Sequence, residues 1–178
     1  MEIAYQIRRS DRRTIAIQIL ADGTVLVRAP RRMPRAQIAD FVESKRRWIE
    51  KHLRCHSGAT KFTREELAKL KQIARIQIHS RLPQLAALAG VSYNRVSFRF
   101  QRTRWGSCSA KGNLNFNCLL ALVPAEILDY VLVHELCHRK ELNHSAQFWT
   151  EVERVLPDYK SARLWLKENG AGLIARLP

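Results

Sequence analysis

The stretch Tyr130–His144, "YVLVHELCHRKELNH", sets His134 and His138 four residues apart, with Glu135 directly after the first. A third histidine returns at His144. On a helix, residues four apart lie one above the other, so His134 and His138 present two imidazoles to one point. Glu135 projects beside that point, placed to reach a water there without binding the ion itself. In this pattern Zn²⁺ lowers the pKa of its water to about 7 and the carboxylate takes the proton as general base. A catalytic zinc wants a third protein ligand. His144 supplies it if the helix ends near Leu142 and Asn143 reverses the chain in the left-handed conformation that Asn tolerates. Glu151 and Glu153, downstream on a helix, are alternatives ranked below His144.

Neighbours separate this cluster from the other histidine pair at the same interval, His52 and His56 in "KHLRCH". There Leu53 and Arg54 stand where a base should be. Arg46, Arg47, Lys51 and Arg54 make a field that repels a dication, and no third ligand follows. That pair reads as a solvated helix end. Around His134 the flanks are apolar, Val131, Leu132, Val133 and Leu136, giving a dry wall that strengthens polarisation of a substrate. Metzincins share the spacing to a third histidine but place glycine in the spacer and a methionine turn beyond it. Here Glu141 fills the glycine position, and the only methionines are Met1 and Met33, so a metzincin is excluded.

The 178 residues suffice for one domain, or a small domain with an appendage. Hydrophobic residues make up 46% and charged residues 26%, ordinary for a globular protein. The charged N-terminus shows no signal peptide, and no apolar run approaches the ~20 residues of a membrane helix. Cys55, Cys108, Cys118 and Cys137 are irregularly spaced, and read as reduced thiols of a cytoplasmic protein. The net charge of +15 is uneven. Residues 1–56 carry +7, residues 57–122 carry +9, and the motif third, 123–178, carries −1. A field of that kind attracts nucleic acid, nucleotides or acidic proteins nonspecifically through residues 1–122, or simply keeps the surface solvated.

"EIAYQIRR", "TIAIQIL" and "TVLVRAP" read as strands, the last two joined by a tight Asp22-Gly23 turn. A helical run from Pro34 to Leu53 follows, then the linker "CHSGAT". Thr63 and Glu66 form a capping box before a long helix ended by Gly90, with Pro83 able to kink or divide it. Short strands "RVSFRF", "WGSCS" and "NLNFNC" precede the motif helix, which Pro124 opens. Two helices close the chain. The order predicts an α+β protein in two parts. Residues 1–56 form a β-rich subdomain with one helix, and residues 57–178 form a zincin-like domain whose small antiparallel sheet packs on the motif helix.

Among lesser candidates, Cys137 faces away from the two histidines and reads as core. "TRWGSCSAKGNLNFN" is either a plain hairpin or an exposed strand that holds an extended substrate by backbone pairing. Tyr159, Arg163, Arg104 or a backbone amide could steady an oxyanion. Phe148, Trp149, Val152, Leu156, Leu164 and Trp165 fall at helical spacing and read as core.

The run from Arg104 to Gly170 resembles the YgjP-like metallopeptidase family. The resemblance is carried by Trp105-Gly106-Ser107-Cys108, Asp129-Tyr130, His134–His138, Asn143-His144-Ser145, Phe148-Trp149 and Pro157-Asp158-Tyr159. It implies a minimal zincin fold, zinc on His134, His138 and His144, and Glu135 as catalytic base, acting on protein or peptide. The fold is also similar to SprT-like domains, whose substrates are proteins on DNA. A member of the family has been described as a nucleoside triphosphate pyrophosphatase preferring UTP, so the resemblance also admits a nucleotide substrate. A nonenzymatic nucleic-acid-binding module is the third reading. Oligomeric state is not legible.

Overall fold

β-Branched and aliphatic runs build the first sheet, and their burial shows which strand lies in the middle. The computed structural model describes residues 3–20, 23–56 and 60–178, with backbone alone at 54–56. The chain divides into two units, Met1–Thr60 and Lys61–Pro178.

In the first unit, β1 (Tyr5–Ser10), β2 (Ala16–Ile19) and β3 (Val25–Pro30) form a sheet in the order β1-β3-β2. β3 runs parallel to β1 and antiparallel to β2. Being central, β3 buries Val25, Leu26, Val27 and Ala29, whereas β1 is largely exposed. Val25, Val27 and Ala29 share a core with Ile38 and Val42 of α1 (Arg35–Ser44) and Ile49 of α2 (Arg46–His56). The sequence reads Pro34 to Leu53 as one helix; the structure breaks it at Lys45. The Ser44 hydroxyl donates to the Phe41 carbonyl at 2.7 Å, the acceptor Lys45 N–H would otherwise use. Lys45 N–H bonds Val42 O instead, at 3.1 Å. Asp22 of the expected turn, the linker residues 57–59 and the side chain of His56 lie outside the described residues.

The second unit opens with α3 (Arg64–Ala89). The Thr63 side chain accepts from Glu66 N–H at 3.2 Å and the Glu66 carboxylate accepts from Thr63 N–H at 2.8 Å, a complete capping box. Gly90 ends the helix at φ 67°, and Pro83 does not divide it. β4 (Val96–Arg99), β5 (Gly106–Cys108) and β6 (Leu114–Asn117) follow in the order β4-β6-β5. The expected antiparallel sheet is in fact mixed: β5 pairs antiparallel with β6, but β4 pairs parallel. The reason lies in residues 100–105, which carry the chain across and leave a slot that β6 enters after the Gly112 turn (φ 78°).

A 3₁₀ turn (Cys118–Leu122) leads to α4 (Ala125–Cys137), α5 (Ala146–Val155) and α6 (Tyr159–Ala175). α4 is buried on nearly every side. Its Leu128, Leu132 and Leu136 pack in one cluster with Ile78 and Leu82 of α3, Leu114 and Phe116 of β6, and Phe148 of α5. Arg81 of α3 grips Asp129 of α4 with one guanidinium nitrogen on both carboxylate oxygens, at 2.9 and 2.8 Å. Among the described residues, no helix is long and apolar enough to cross a membrane. Among the described residues the fold is α+β, with six α-helices and two small sheets.

Candidate metal centre

His134 leaves the last full turn of α4, and His138 stands at its cap with φ −64° and ψ −10°. The helix therefore closes at Cys137 and not near Leu142. Arg139 explains the early stop. Its Nε donates to Ser92 O and its Nη1 to Ala110 O, both at 3.0 Å, with the guanidinium lying over Gly112. The main-chain N–H groups of Lys140 and Glu141 fold back onto Cys137 O, each at 3.0 Å.

His138 Nδ1 reaches the Glu141 carbonyl at 2.9 Å, which closes the turn. Among the described residues no residue other than glycine has a positive φ, so Asn143 does not use the left-handed conformation. It works through its side chain: Asn143 Oδ1 accepts Ser145 N–H at 3.0 Å, and Ser145 Oγ accepts Phe148 N–H at 3.3 Å to start α5. His144 is fixed between those two anchors.

The three imidazoles converge. Their ring centres are 5.0, 4.9 and 4.8 Å apart, and one ligand nitrogen from each lies within 4.8 Å of the others. Fully buried Phe148 sits against all three, 4.9, 4.5 and 4.8 Å from the rings of His134, His138 and His144. Trp149 adds a wall beside His134 and His144. The sequence reading of Phe148 as core is right, but incomplete: the same ring holds the imidazoles together.

The donor set fits a metal. With Nδ1 of His138 donating to a carbonyl, its Nε2 keeps a free lone pair. Nε2 of His134 and Nε2 of His144 face each other at 3.0 Å, close for two neutral acceptors and well suited to sharing a cation. Burial pulls the His134 imidazole down to about 3, helped by the charges of His138, His144 and Arg163. His144 is lowered as well, again first by burial. Both are neutral at physiological pH, the form that binds metal, and imidazole nitrogen suits zinc among other transition metals.

Glu135 turns to the side of α4 that β5 covers. A Cβ on Gly106 would fall 2.6 Å from Glu135 Cγ and Oε1, so only glycine leaves the carboxylate its place. Glu135 and His134 share a cavity of about 210 Å³ with Arg104, Trp105, Gly106 and Tyr130. Burial pushes the Glu135 carboxyl up to about 8, against the opposing charge of Arg104. Such a carboxyl is poised to exchange a proton near neutrality.

The roof of this cavity is set by Asn117, which is fully buried. Its Nδ2 donates to Gln101 O at 2.7 Å and Arg104 O at 3.0 Å, its Oδ1 accepts Leu119 N–H at 3.1 Å, and its own N–H donates to Trp105 O at 2.8 Å. The indole of Trp105 rests on Gly170 of α6. Gly106 and Asn117 are absent from the site as the sequence alone draws it, although Gly106 stands inside the Trp-Gly-Ser-Cys block.

The remaining candidates fall elsewhere. Glu151 is engaged by Lys140 at 2.8 Å and Arg154 at 3.1 Å, and Glu153 by Lys160 at 3.1 Å, so neither joins the histidines. Cys137 is buried core. Tyr159 is buried and stacks on Trp149 and Tyr130, while Arg163 lies 4.6 Å over the Trp149 ring. His52 Nδ1 bonds Trp48 O at 2.8 Å on α2, and the side chain of its expected neighbour His56 lies outside the described residues.

The family model "YgjP-like, metallopeptidase domain" matches residues 13–70 and 58–169. A comparison with curated proteins gives no match. The chain is similar to the crystal structure of the metallopeptidase zymogen abylysin of Pyrococcus abyssi, at 28% identity and a TM-score of 0.46, covering 51% of this chain and 93% of that one. A match that runs through nearly all of the sequence, with three imidazoles meeting inside it, places the chain in the YgjP-like metallopeptidase family, among metal-dependent hydrolases.

Proposed function

We propose that the chain is a zinc peptidase in which His134, His138 and His144 hold the ion and Glu135 moves the proton. The observation that carries this is the meeting of three imidazole nitrogens within 4.8 Å, with a buried carboxylate on the next residue along α4. Zinc bound there would acidify a water and polarise a carbonyl. The chain's own groups do the rest. His138 is oriented by Glu141 O, and His144 by the Asn143–Ser145 turn. Glu135, whose carboxyl burial raises to about 8, in its ionised form accepts a proton from the attacking water and returns it to the leaving amine. Phe148 backs the three imidazoles, and Trp105 lines the cavity beside Glu135. Positive charge reaches the site from Arg163 on the histidine side and Arg104 on the carboxylate side.

Glu135→Gln tests the assignment. Zinc content by atomic absorption should match the parent, while cleavage of an unfolded protein substrate falls at least about 100-fold, the usual weight of a general base. Full turnover in that variant would refute the mechanism. The same preparation distinguishes the nucleotide reading: pyrophosphate release from UTP, lost in Glu135→Gln and unaccompanied by peptide cleavage, would replace the peptidase.

A further inference from the structure

The second sheet has two unlike faces. Leu114 and Phe116 turn into the core. On the opposite face, the register aligns Ser97, Asn115 and Ser107 in one polar row, with Arg99 two residues beyond Ser97. Over that row lies a cavity of about 480 Å³, lined also by Gln101 and Arg104. Its wall is built. Buried Asn117 holds the carbonyls of both Gln101 and Arg104, so the segment that closes the cavity is fixed before anything binds.

Charge and hydrogen bonding point the same way. No carboxylate lines the cavity. Among the described residues, neither the Arg99 nor the Arg104 guanidinium donates a hydrogen bond to the protein. Ser97 Oγ donates to Asn115 Oδ1 at 3.1 Å, which leaves the Asn115 amide N–H₂ as its free end. The cavity thus offers three donors to an anion. Under the peptidase reading, the anionic group that meets these donors is an acidic side chain carried on a polypeptide. Aromatic rings, on which nucleic-acid bases would stack, are missing from the lining. Arg104 lines this cavity and the one around Glu135, so an occupant here lies next to the reacting bond.

We propose that this face is a specificity subsite that selects polypeptides with an aspartate or glutamate close to the scissile bond, held by Arg99 and Arg104. The proposal rests on the peptidase reading above, and its test separates the two. Zinc-loaded full chain carrying Glu135→Gln is titrated with paired fluorescent peptides, identical except for one central Glu or Gln. The parent chain is assayed for cleavage of the same pair and of a peptide library.

The acidic member should bind about tenfold more tightly, the order expected for one charge-assisted contact, and added Arg99→Gln should remove the difference. The library should show Asp or Glu enriched at one fixed position, inverted toward Lys or Arg by Arg99→Glu. Equal binding of the pair while the parent cleaves both would sink the subsite and leave the peptidase standing. Discrimination without cleavage of any peptide would keep the subsite and remove the peptidase. Discrimination undiminished by Arg99→Gln overturns the assignment to this face. A single-stranded oligonucleotide that binds through Arg99 and is not displaced by the acidic peptide overturns it too, in favour of nucleic acid. Arg99 is exposed, so its variants should keep the parent's circular dichroism and melting temperature.

Discussion

A methyl group added at Gly106 would meet the Glu135 side chain at 2.6 Å, nearer than real Cβ contacts come, so the carboxylate has to move. Gly106→Ala should therefore cost about 10- to 100-fold in kcat while zinc binding is kept, since His134 and His138 leave α4 on another side. Single-turnover kinetics beside metal analysis would show the split. Protons supply a second residue-level prediction, for metal-stripped protein. Folding raises the Glu135 carboxyl from its ordinary 4.5 to about 8, so the folded chain binds a proton that the unfolded chain has released. Stability then falls as pH climbs through that window. His134 works in the opposite sense: its value drops from 6.5 to about 3, the unfolded chain binds the extra proton, and stability is lost as pH falls through that range. Urea midpoints of metal-stripped Glu135→Gln should exceed those of the parent by a margin that widens from pH 5 to pH 8.

Elements differ in how openly the sequence announces them. The ends of α3 are written in Thr63, Glu66 and Gly90, because caps act within a few residues. The end of α4 is not. "RKEL" is a good helix former, and the helix stops before it because Arg139 bonds carbonyls 47 and 29 residues back in the chain. The break at Lys45 turns on a single serine hydroxyl, a choice local propensity does not reveal. The three histidines that the fold brings together were legible because their spacing is itself the signal, and Glu135 follows from its place beside His134. Gly106, Asn117 and Phe148 were not, because their roles exist only once β5, β6 and α5 close over α4. Asn117→Ala makes this measurable. It strips partners from the carbonyls of Gln101 and Arg104 and from Leu119 N–H, and should cost about 2–3 kcal/mol by denaturant titration, at ~1 kcal/mol or more for each buried group left unpaired.

For the molecule as a whole, zinc should act as a folding ligand of residues 61–178. The imidazoles that converge there come from α4 and the turn before α5, and an ion bound only by the folded form adds stability with its concentration. Calorimetry should show a melting transition that rises with added zinc in the parent and stays put when His134, His138 and His144 are all replaced by alanine. The charge of +15 was plain from composition, but where it becomes chemistry was not: of the 31 Lys and Arg residues, Arg99 and Arg104 are the two the fold brings to the cavity beside β6. One feature common to both units bears on biosynthesis. Each sheet places its third strand between its first and second, β3 in one and β6 in the other. A ribosome delivers the flanking strands first, and they have no partner until the central one emerges. A nascent chain paused when β5 but not β6 has left the ribosome would carry β4 and β5 with an open lane between them, which any extended segment could enter. Emergence of Leu114–Asn117 is the event that closes that lane.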